Sequence, residues 1–341
     1  MYYHRSLFLM FLAGMFSGMP VLAVTEINPP FSVSARYGTI TDFYPAAAAK
    51  NGEINLRNTP FVVLIQDLHA NVGVQKNIAA TLYRLNQTNK MGSLLVCVEG
   101  ASGEGDVSLL RSLPGPIRHS FEAMLLRKAY LTGAELAATE EAADWYQQKY
   151  VITNRIMSMF SSSNRPQPVT LSPIRLWGVD DPELYRKNWR AAKYVDKNRY
   201  EALQYLKSTR AMLKEGGSKV LQDHLDLVVK LLLLRLQPQE YKDYLKHRSL
   251  NPGGPEAYQA TLEAAETYYV AANKRSDAMT KNLLNAMRFH PGITAMITGG
   301  FHTQEIAANL KQKNIPYLVI TPRVEVLDQD EAYRARLREE E

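Results

Sequence analysis

The sequence predicts an α/β fold, in which a largely parallel central sheet is flanked by helices and interrupted by a helical insertion. Four short segments are rich in apolar and β-branched residues and are bounded by polar residues: 61–65, 94–98, 174–179 and 293–298. Runs of this kind are typical of strands that are buried on both faces of a parallel sheet. Segments with helical periodicity, or with no strand pattern at all, separate the four strands.

The N-terminal 23 residues predict a secretory signal peptide. A short basic start that ends at Arg5 precedes a largely apolar segment, and Val21-Leu-Ala23 supplies the modest side chains that a signal peptidase accepts. An uncleaved membrane anchor is the alternative, although two glycines and a proline interrupt the apolar run. We therefore expect an exported protein, periplasmic or secreted, without membrane association after cleavage.

The composition suits a globular chain that relies on core packing for its stability. Of the 341 residues 46% are hydrophobic, and the formal net charge of +6 becomes +5 when Arg5 leaves with the signal peptide. The single cysteine, Cys97, cannot form an intramolecular disulfide. Within a predicted buried strand it is expected to serve as a small apolar residue.

The elements up to the third strand follow from local patterns. Residues 24–60 are interpreted as an irregular entry segment, and a helix is predicted from about 74 to 89, after the first strand. The glycine-rich stretch 100–105 matches neither the dinucleotide fingerprint nor the Walker pattern, so we interpret it as a loop over a site. Residues 107–160 are predicted to be helical with proline breaks, and 161–173 is a Ser- and Pro-rich connector.

Residues 182–255 predict a helical insertion, because no strand pattern occurs there. Residues 183–250 contain 15 Lys/Arg and 8 Asp/Glu, a local balance of +7 (15 − 8) that exceeds the +6 of the whole chain. The cations are mixed with acidic residues around the helices, which favours a solvated surface over a nucleic-acid site. We expect no nucleic-acid partner.

After the insertion the α/β pattern resumes. A long helix is predicted over about 256–289, then the strand at 293–298, a helix over about 303–313 and a last strand at 317–320. The sequence thus predicts a discontinuous α/β domain, which comprises residues 24–181 and 256–325. The insertion comprises residues 182–255, and a charged tail comprises residues 326–341.

Polar residues follow the predicted strands and indicate a site. His69, Glu99, Asp180 and His302 each come just after an apolar run, and ligands of open α/β sheets bind beyond the carboxyl ends of the strands. Two histidines and one carboxylate could hold a divalent ion and leave a position for water. The candidate metal ligands are therefore His69, Glu99 and His302, and zinc, manganese or cobalt would suit them.

Three further residues are catalytic candidates. Asp67 or Asp180 could act as a general base towards bound water, and Asp180 could instead orient a histidine or cap the following helix. Arg275 could hold an anionic group of a substrate through its planar guanidinium. Metal-free chemistry, with His69 as base and Glu99 orienting it, is an open alternative.

Four motifs in this order resemble those of the erythromycin esterase, ChaN, TraB and Tiki superfamily. They are Gln66-Asp-Leu-His69, Val98-Glu99-Gly100, Arg275-Ser-Asp-Ala-Met279 with Asn282, and Gly299-Gly-Phe-His302. The first motif departs from the superfamily pattern, since Gln66 stands where glycine is common. The resemblance covers about residues 60–323, apart from the insertion.

The resemblance implies a parallel-sheet α/β fold with its site at the strand ends, and two kinds of activity. Tiki and TraB relatives are linked to metal-dependent hydrolysis, and erythromycin esterases hydrolyse a lactone at a His/Glu site. ChaN-like relatives bind haem and serve iron uptake. We therefore expect a hydrolase acting on an ester or amide of a small molecule or peptide. A non-catalytic haem carrier and an interaction protein remain the alternatives.

Overall fold

A seven-stranded mixed sheet forms the centre of the protein. The computed structural model describes residues 28–46, 54–56, 59–68, 71–89, 93–139, 174–213, 218–290 and 292–325. The strands in these ranges are β1 (Gly38–Tyr44), β2 (Phe61–Asp67), β3 (Leu95–Val98), β4 (Ser102–Gly105), β5 (Arg175–Val179), β6 (Ile293–Gly299) and β7 (Tyr317–Pro322).

The strand order is β1-β7-β2-β6-β3-β5-β4. The five central strands, from β7 to β5, are parallel to one another, and each outermost strand is antiparallel to its neighbour. The predicted α/β fold with a largely parallel sheet is therefore confirmed. Because the central strands are parallel, their carboxyl ends meet at one edge of the sheet.

Helices cover both faces of this sheet and build the insertion. They are α1 (Val72–Thr88), α2 (Ser108–Arg111), α3 (Gly115–Arg127), α4 (Gly133–Thr139), α5 (Pro182–Leu213), α6 (Lys219–Leu232), α7 (Pro238–Lys246), α8 (Glu256–Met287) and α9 (Gly300–Gln312). A 3-10 turn, Arg248–Leu250, follows α7. Among the described residues, no helix is long and apolar enough to cross a bilayer.

Alternate residues of the central strands face two separate cores. Val63 and Ile65 of β2 pack on one face with residues of α1, α3 and α4. Val62 and Leu64 pack on the opposite face with α8 and α9. Burial on both faces is why these strands have continuous apolar sequences, since a strand with one solvated face would alternate between apolar and polar residues.

Cys97 lies in the second core and is fully buried. Burial raises the pKa of its thiol, because a thiolate would be left without water in an apolar setting. The expectation that Cys97 acts as a small apolar residue agrees with this environment.

Two strands occur where the sequence predicts none. β1 lies in the segment interpreted as irregular, and β4 lies in the glycine-rich stretch interpreted as a loop. Both are edge strands stabilised by pairing with a distant strand, β1 with β7 and β4 with β5. Their own sequences lack a regular alternation of apolar and polar residues, and each is paired along its length with a strand that is distant in the chain.

The insertion has its own core but is continuous with the sheet through α8. The first half of α8 contributes Tyr258, Leu262 and Tyr269 to the core formed with α5, α6 and α7. The second half contributes Met279 and Leu283 to the core beneath the sheet. One 32-residue helix therefore belongs to both cores, and this shared helix holds the insertion over the carboxyl edge of the sheet.

A buried histidine, His224, lies within the insertion core and is only 1% exposed. Its Nε2 lies 2.7 Å from Asn251 Oδ1 and its ring stacks on Tyr244, whereas its buried Nδ1 has no hydrogen-bond partner among the residues that the structure describes. Burial lowers the pKa of His224, the bond to Asn251 opposes that change, and nearby His247 lowers the pKa further.

We expect this histidine to make folding sensitive to acid. The folded-state pKa lies below the unfolded value of about 6.5, so the unfolded state binds more protons as pH falls through that range. Stability is therefore present above about pH 6.5 and is lost below it, by at most about 1.4 kcal/mol per pH unit. The free energy of unfolding is measured in urea for wild type and His224→Gln at pH 7 and pH 5. An equal decrease between the two pH values in both proteins contradicts a role for His224.

Candidate functional site

A buried polar cluster lies at the carboxyl edge of the sheet. Glu99 follows β3, Asp180 follows β5, Arg275 lies on α8 and His302 lies in the first turn of α9. Asp180, Arg275 and His302 are 3%, 4% and 5% exposed, so each of these polar groups requires partners inside the protein. The strand order places β3 between β6 and β5, and this adjacency brings the four residues together.

Arg275 is the centre of the cluster. Its Nε donates to Asp180 Oδ1 at 3.1 Å and its Nη2 donates to Asp180 Oδ2 at 2.6 Å, which is a bidentate pair. The Nη2 group also donates to Glu99 Oε1 at 2.9 Å, and Nη1 donates to Asn188 Oδ1 at 2.8 Å. The guanidinium carbon lies 5.1 Å from the ring centre of Tyr185. Arg275 thus joins the ends of β3 and β5 to α5.

The charge balance of the cluster keeps Arg275 ionised. Burial by itself lowers the pKa of Arg275, but the charge on Glu99 and the hydrogen bonds and charge of Asp180 raise it by more. Its pKa therefore lies above the ordinary range. One buried cation faces two carboxylates, so the ion cluster without His302 carries a formal charge of −1.

Asp180 is held by backbone groups as well as by Arg275. Its Oδ2 accepts from the amide of Gly100 at 3.0 Å, and its Oδ1 accepts from the amide of Asp181 at 2.9 Å. The cap of α5 is supplied by Asp181, whose Oδ1 accepts from the amides of Glu183 and Leu184. Asp180 is therefore part of the ion cluster, and the helix cap considered for it is supplied by Asp181 instead.

Glu99 faces both the cation and the histidine. Its Oε2 accepts from the amide of Gly299 at 2.9 Å, at the start of α9, where the helix dipole also favours a negative charge. Its Oε1 lies 3.3 Å from Nε2 of His302. Oε1 of Glu99 therefore meets both Arg275 and His302, while Oε2 is held by the amide of Gly299.

Ser276 orients the imidazole of His302. Ser276 Oγ lies 2.9 Å from His302 Nδ1, and the serine also lies 3.3 Å from the carbonyl oxygen of Ala272, one turn earlier in α8. Since Ser276 is 1% exposed, it positions the ring rather than meeting a substrate. With Nδ1 occupied by Ser276, Nε2 is the nitrogen directed towards Glu99.

Asp67, the other carboxylate candidate, is engaged at the end of β2. Its Oδ1 accepts from Gln75 Nε2 at 2.5 Å, and Gln75 Oε1 in turn accepts from the amide of Gly133. In the sheet, Asp67 is paired with Gly299 of β6, and β6 separates β2 from β3, the strand that Glu99 follows. His69, the predicted third metal ligand, lies outside the residues that the structure describes.

Glu99 and His302 fit as part of a metal-binding set. Ligand atoms at about 2.0–2.2 Å from a tetrahedral ion lie about 3.3–3.6 Å apart, and Oε1 and Nε2 are 3.3 Å apart. A carboxylate oxygen has two lone pairs, so contact with Arg275 does not prevent a second partner. The described residues contain no group of three such ligands, and the hypothesis of a His69, Glu99 and His302 site remains a prediction.

Sequence reasoning missed two residues that the structure brings into the cluster, Asn188 and Ser276. Asn188 also donates to the backbone of Tyr268 at 2.8 Å, which links α5 to α8. Ser276 lies one residue after Arg275, so it could have been found as a polar residue on the core side of a helix. Asn188 carried no comparable signal, because its role depends on how α5 packs against α8.

Comparison with known proteins leaves the family open. No protein-family profile matches this chain, and comparison with curated protein sequences gives no match. The crystal structure of a Bacillus cereus protein matches with 12% identity and a TM-score of 0.23, covering 77% of this chain and 65% of that one. The chain thus spans about 65% of that protein's length. So low a TM-score carries no argument, and the superfamily resemblance stays a prediction.

Proposed function

We propose that this protein is an exported hydrolase that cleaves an ester or amide bond of a small molecule or peptide at the carboxyl edge of its sheet. The observation that carries the proposal is the pair formed by Glu99 and His302, whose Oε1 and Nε2 atoms lie 3.3 Å apart. An imidazole beside a fixed carboxylate can accept a proton from water and hold the resulting charge.

In this proposal each neighbour has a defined task. Ser276 fixes Nδ1 of His302, so that Nε2 is the nitrogen that accepts the proton. The carboxylate of Glu99 stabilises the imidazolium that results. Arg275 and Asp180 are positioning residues, since Asp180 holds the guanidinium of Arg275, which in turn donates to Oε1 of Glu99, the oxygen beside His302.

In a metal-assisted form of the proposal, Glu99 and His302 would hold a divalent ion, zinc, manganese or cobalt, with His69 as the proposed third ligand. Nε2 of His302 would then bind the ion and would not accept a proton. Such an ion lowers the pKa of a bound water and polarises the bond under attack. Asp67 is a second proposed base, since it is the last residue of β2, at the same edge of the sheet, and precedes His69 by two residues.

The proposal is tested by the hydrolysis of p-nitrophenyl acetate and leucine p-nitroanilide. We expect His302→Ala and Glu99→Gln to lower kcat/KM by at least about 100-fold, the scale of general acid–base catalysis. Glu104→Gln is the matched control, because Glu104 lies in the same stretch but pairs with Arg175 on the surface, where its side chain is 64% exposed. Unfolding temperatures of all variants exclude a loss that is due to unfolding.

Two parallel measurements distinguish the alternatives. Elemental analysis of purified protein distinguishes the two forms. A divalent metal that is lost in His302→Ala supports the metal-assisted form, and metal retained in that variant contradicts the assigned metal site. Titration with hemin tests the carrier hypothesis. Hydrolysis that is absent from the wild type, together with a Soret band that disappears in His302→Ala, would overturn the hydrolase in favour of a haem carrier.

A further inference from the structure

A concave surface of about 760 Å³ lies between α5 and α8, on the insertion. We call it the α5–α8 groove. Three cations of α5 line it, Arg186, Lys187 and Arg190, and all three are exposed. They lie within five residues of a helix, so they share one side of the groove and place positive charge within a span of about 6 Å along the helix axis.

These cations differ from many others in the insertion. Six Lys or Arg residues there form ion pairs with carboxylates: Arg199, Arg210, Lys230, Lys242, Lys246 and Arg248. Within the described part of the chain, Arg186, Lys187 and Arg190 form none, and Arg186 donates only to the carbonyl of Pro182 in its own helix. Cations that line a concavity without carboxylate partners are suited to an anionic ligand.

The other lining residues restrict what kind of anion fits. Ala260 and Ala264 of α8 form a small, apolar wall, and Tyr194 of α5 presents an aromatic ring that is 44% exposed. Glu183 and Glu263 also line the groove. These two carboxylates would repel an extended polyanion such as a nucleic acid or an anionic membrane. The groove therefore suits a small molecule with one anionic group and an apolar or aromatic part.

The groove adjoins the candidate site through both of its helices. Arg186 directly follows Tyr185, whose ring lies beside the guanidinium of Arg275. On α8, Thr267 lines the groove and directly precedes Tyr268, whose carbonyl oxygen accepts a hydrogen bond from Asn188 of the ion cluster. Adjacent residues of a helix lie about 1.5 Å apart along its axis, so the groove and the ion cluster lie at the same level of α5 and α8, on different faces of these helices.

We propose that the α5–α8 groove binds the carboxylate or phosphate group of a small anionic substrate, while the bond to be cleaved lies at Glu99 and His302. The substrate class is then an ester or amide that carries an anionic group remote from the reacting bond. This assignment of the substrate rests on the proposed function. The anion site itself rests only on the groove.

Binding is tested with the aromatic sulfonate 1-anilinonaphthalene-8-sulfonate and its uncharged analogue N-phenyl-1-naphthylamine. We expect the double variant Arg186→Gln/Arg190→Gln to bind the sulfonate at least tenfold more weakly than wild type and to bind the analogue equally well. Lys197→Gln/Lys207→Gln is the matched control, because these two cations are exposed on α5 outside the groove. Equal sulfonate affinity in both double variants, or no binding by wild type, overturns the anion site.

The substrate assignment has a separate test. For wild type we expect kcat/KM to be higher for the p-nitrophenyl monoester of adipic acid than for p-nitrophenyl hexanoate, which lacks the carboxylate. The groove double variant should lose about tenfold on the anionic ester through KM and keep its rate on the neutral ester. If the groove double variant keeps the wild-type preference for the anionic ester, the substrate assignment is overturned. If wild type hydrolyses neither ester, the result counts against the proposed function, and the anion site is then judged by sulfonate binding alone.

Discussion

Replacing Arg275 by methionine is expected to destabilise the protein by about 3–5 kcal/mol, the cost of removing one partner from a buried ion pair. Methionine keeps most of the volume and removes the charge. Asp180 would then remain buried at 3% exposure, and Glu99 would lose the same partner. Urea unfolding measured at pH 7 tests this prediction.

Arg210→Met is the matched control for Arg275→Met. Arg210 also pairs with a carboxylate, Asp226, but the two side chains are 33% and 57% exposed. A solvated pair of this kind contributes about 0–1 kcal/mol. Similar losses in the two variants would contradict the view that burial makes Arg275 important. In addition, Asp180→Asn should restore part of the stability that Arg275→Met loses, because it removes one of the two buried carboxylates left without a cation.

Substituting alanine for Gly178 in β5 is expected to cost about 3 kcal/mol, at the upper end for overpacking. A Cβ atom at this position would lie 2.2 Å from the carbonyl carbon of Ala101 and 2.3 Å from the amide nitrogen of Ser102. Both atoms belong to the backbone, so the clash cannot be relieved by a side-chain rotation. The strand β4 would have to move away from β5.

This movement should also disturb the ion cluster. The amide of Asp180 donates to the carbonyl of Ala101, and the amide of Gly100 donates to the Asp180 carboxylate. We therefore expect Gly178→Ala to lower both the unfolding temperature and any hydrolytic activity. Its cross-strand partner Gly103 has open space around its Cβ position and a φ of +85°. Gly103→Ala should cost only the strain of that backbone conformation, about 1–2 kcal/mol. If it lowers activity as much as Gly178→Ala does, the clash at Gly178 is not what disturbs the ion cluster.

Whether a site residue could be predicted from the sequence depends on whether local or long-range contacts place it in the site. Glu99, Asp180 and His302 could be predicted from sequence, because each follows a strand and strand ends converge in a parallel sheet. Asn188 could not, since it reaches Arg275 only because α5 packs along α8. Arg275, predicted as a candidate for holding a substrate anion, bonds Glu99, Asp180 and Asn188 and lies beside Tyr185. Its contact with a substrate stays a prediction.

The α/β class, the buried strands and the polar residues that follow them could be predicted from the sequence, because local apolar runs and their ends are encoded within a few residues. The strand order, the edge strands β1 and β4, and the sharing of α8 between two cores could not. Each of these depends on contacts between residues far apart in the chain. Edge pairing is the clearest case, since hydrogen bonds to β7 and β5 hold β1 and β4 in place despite sequences without strand periodicity.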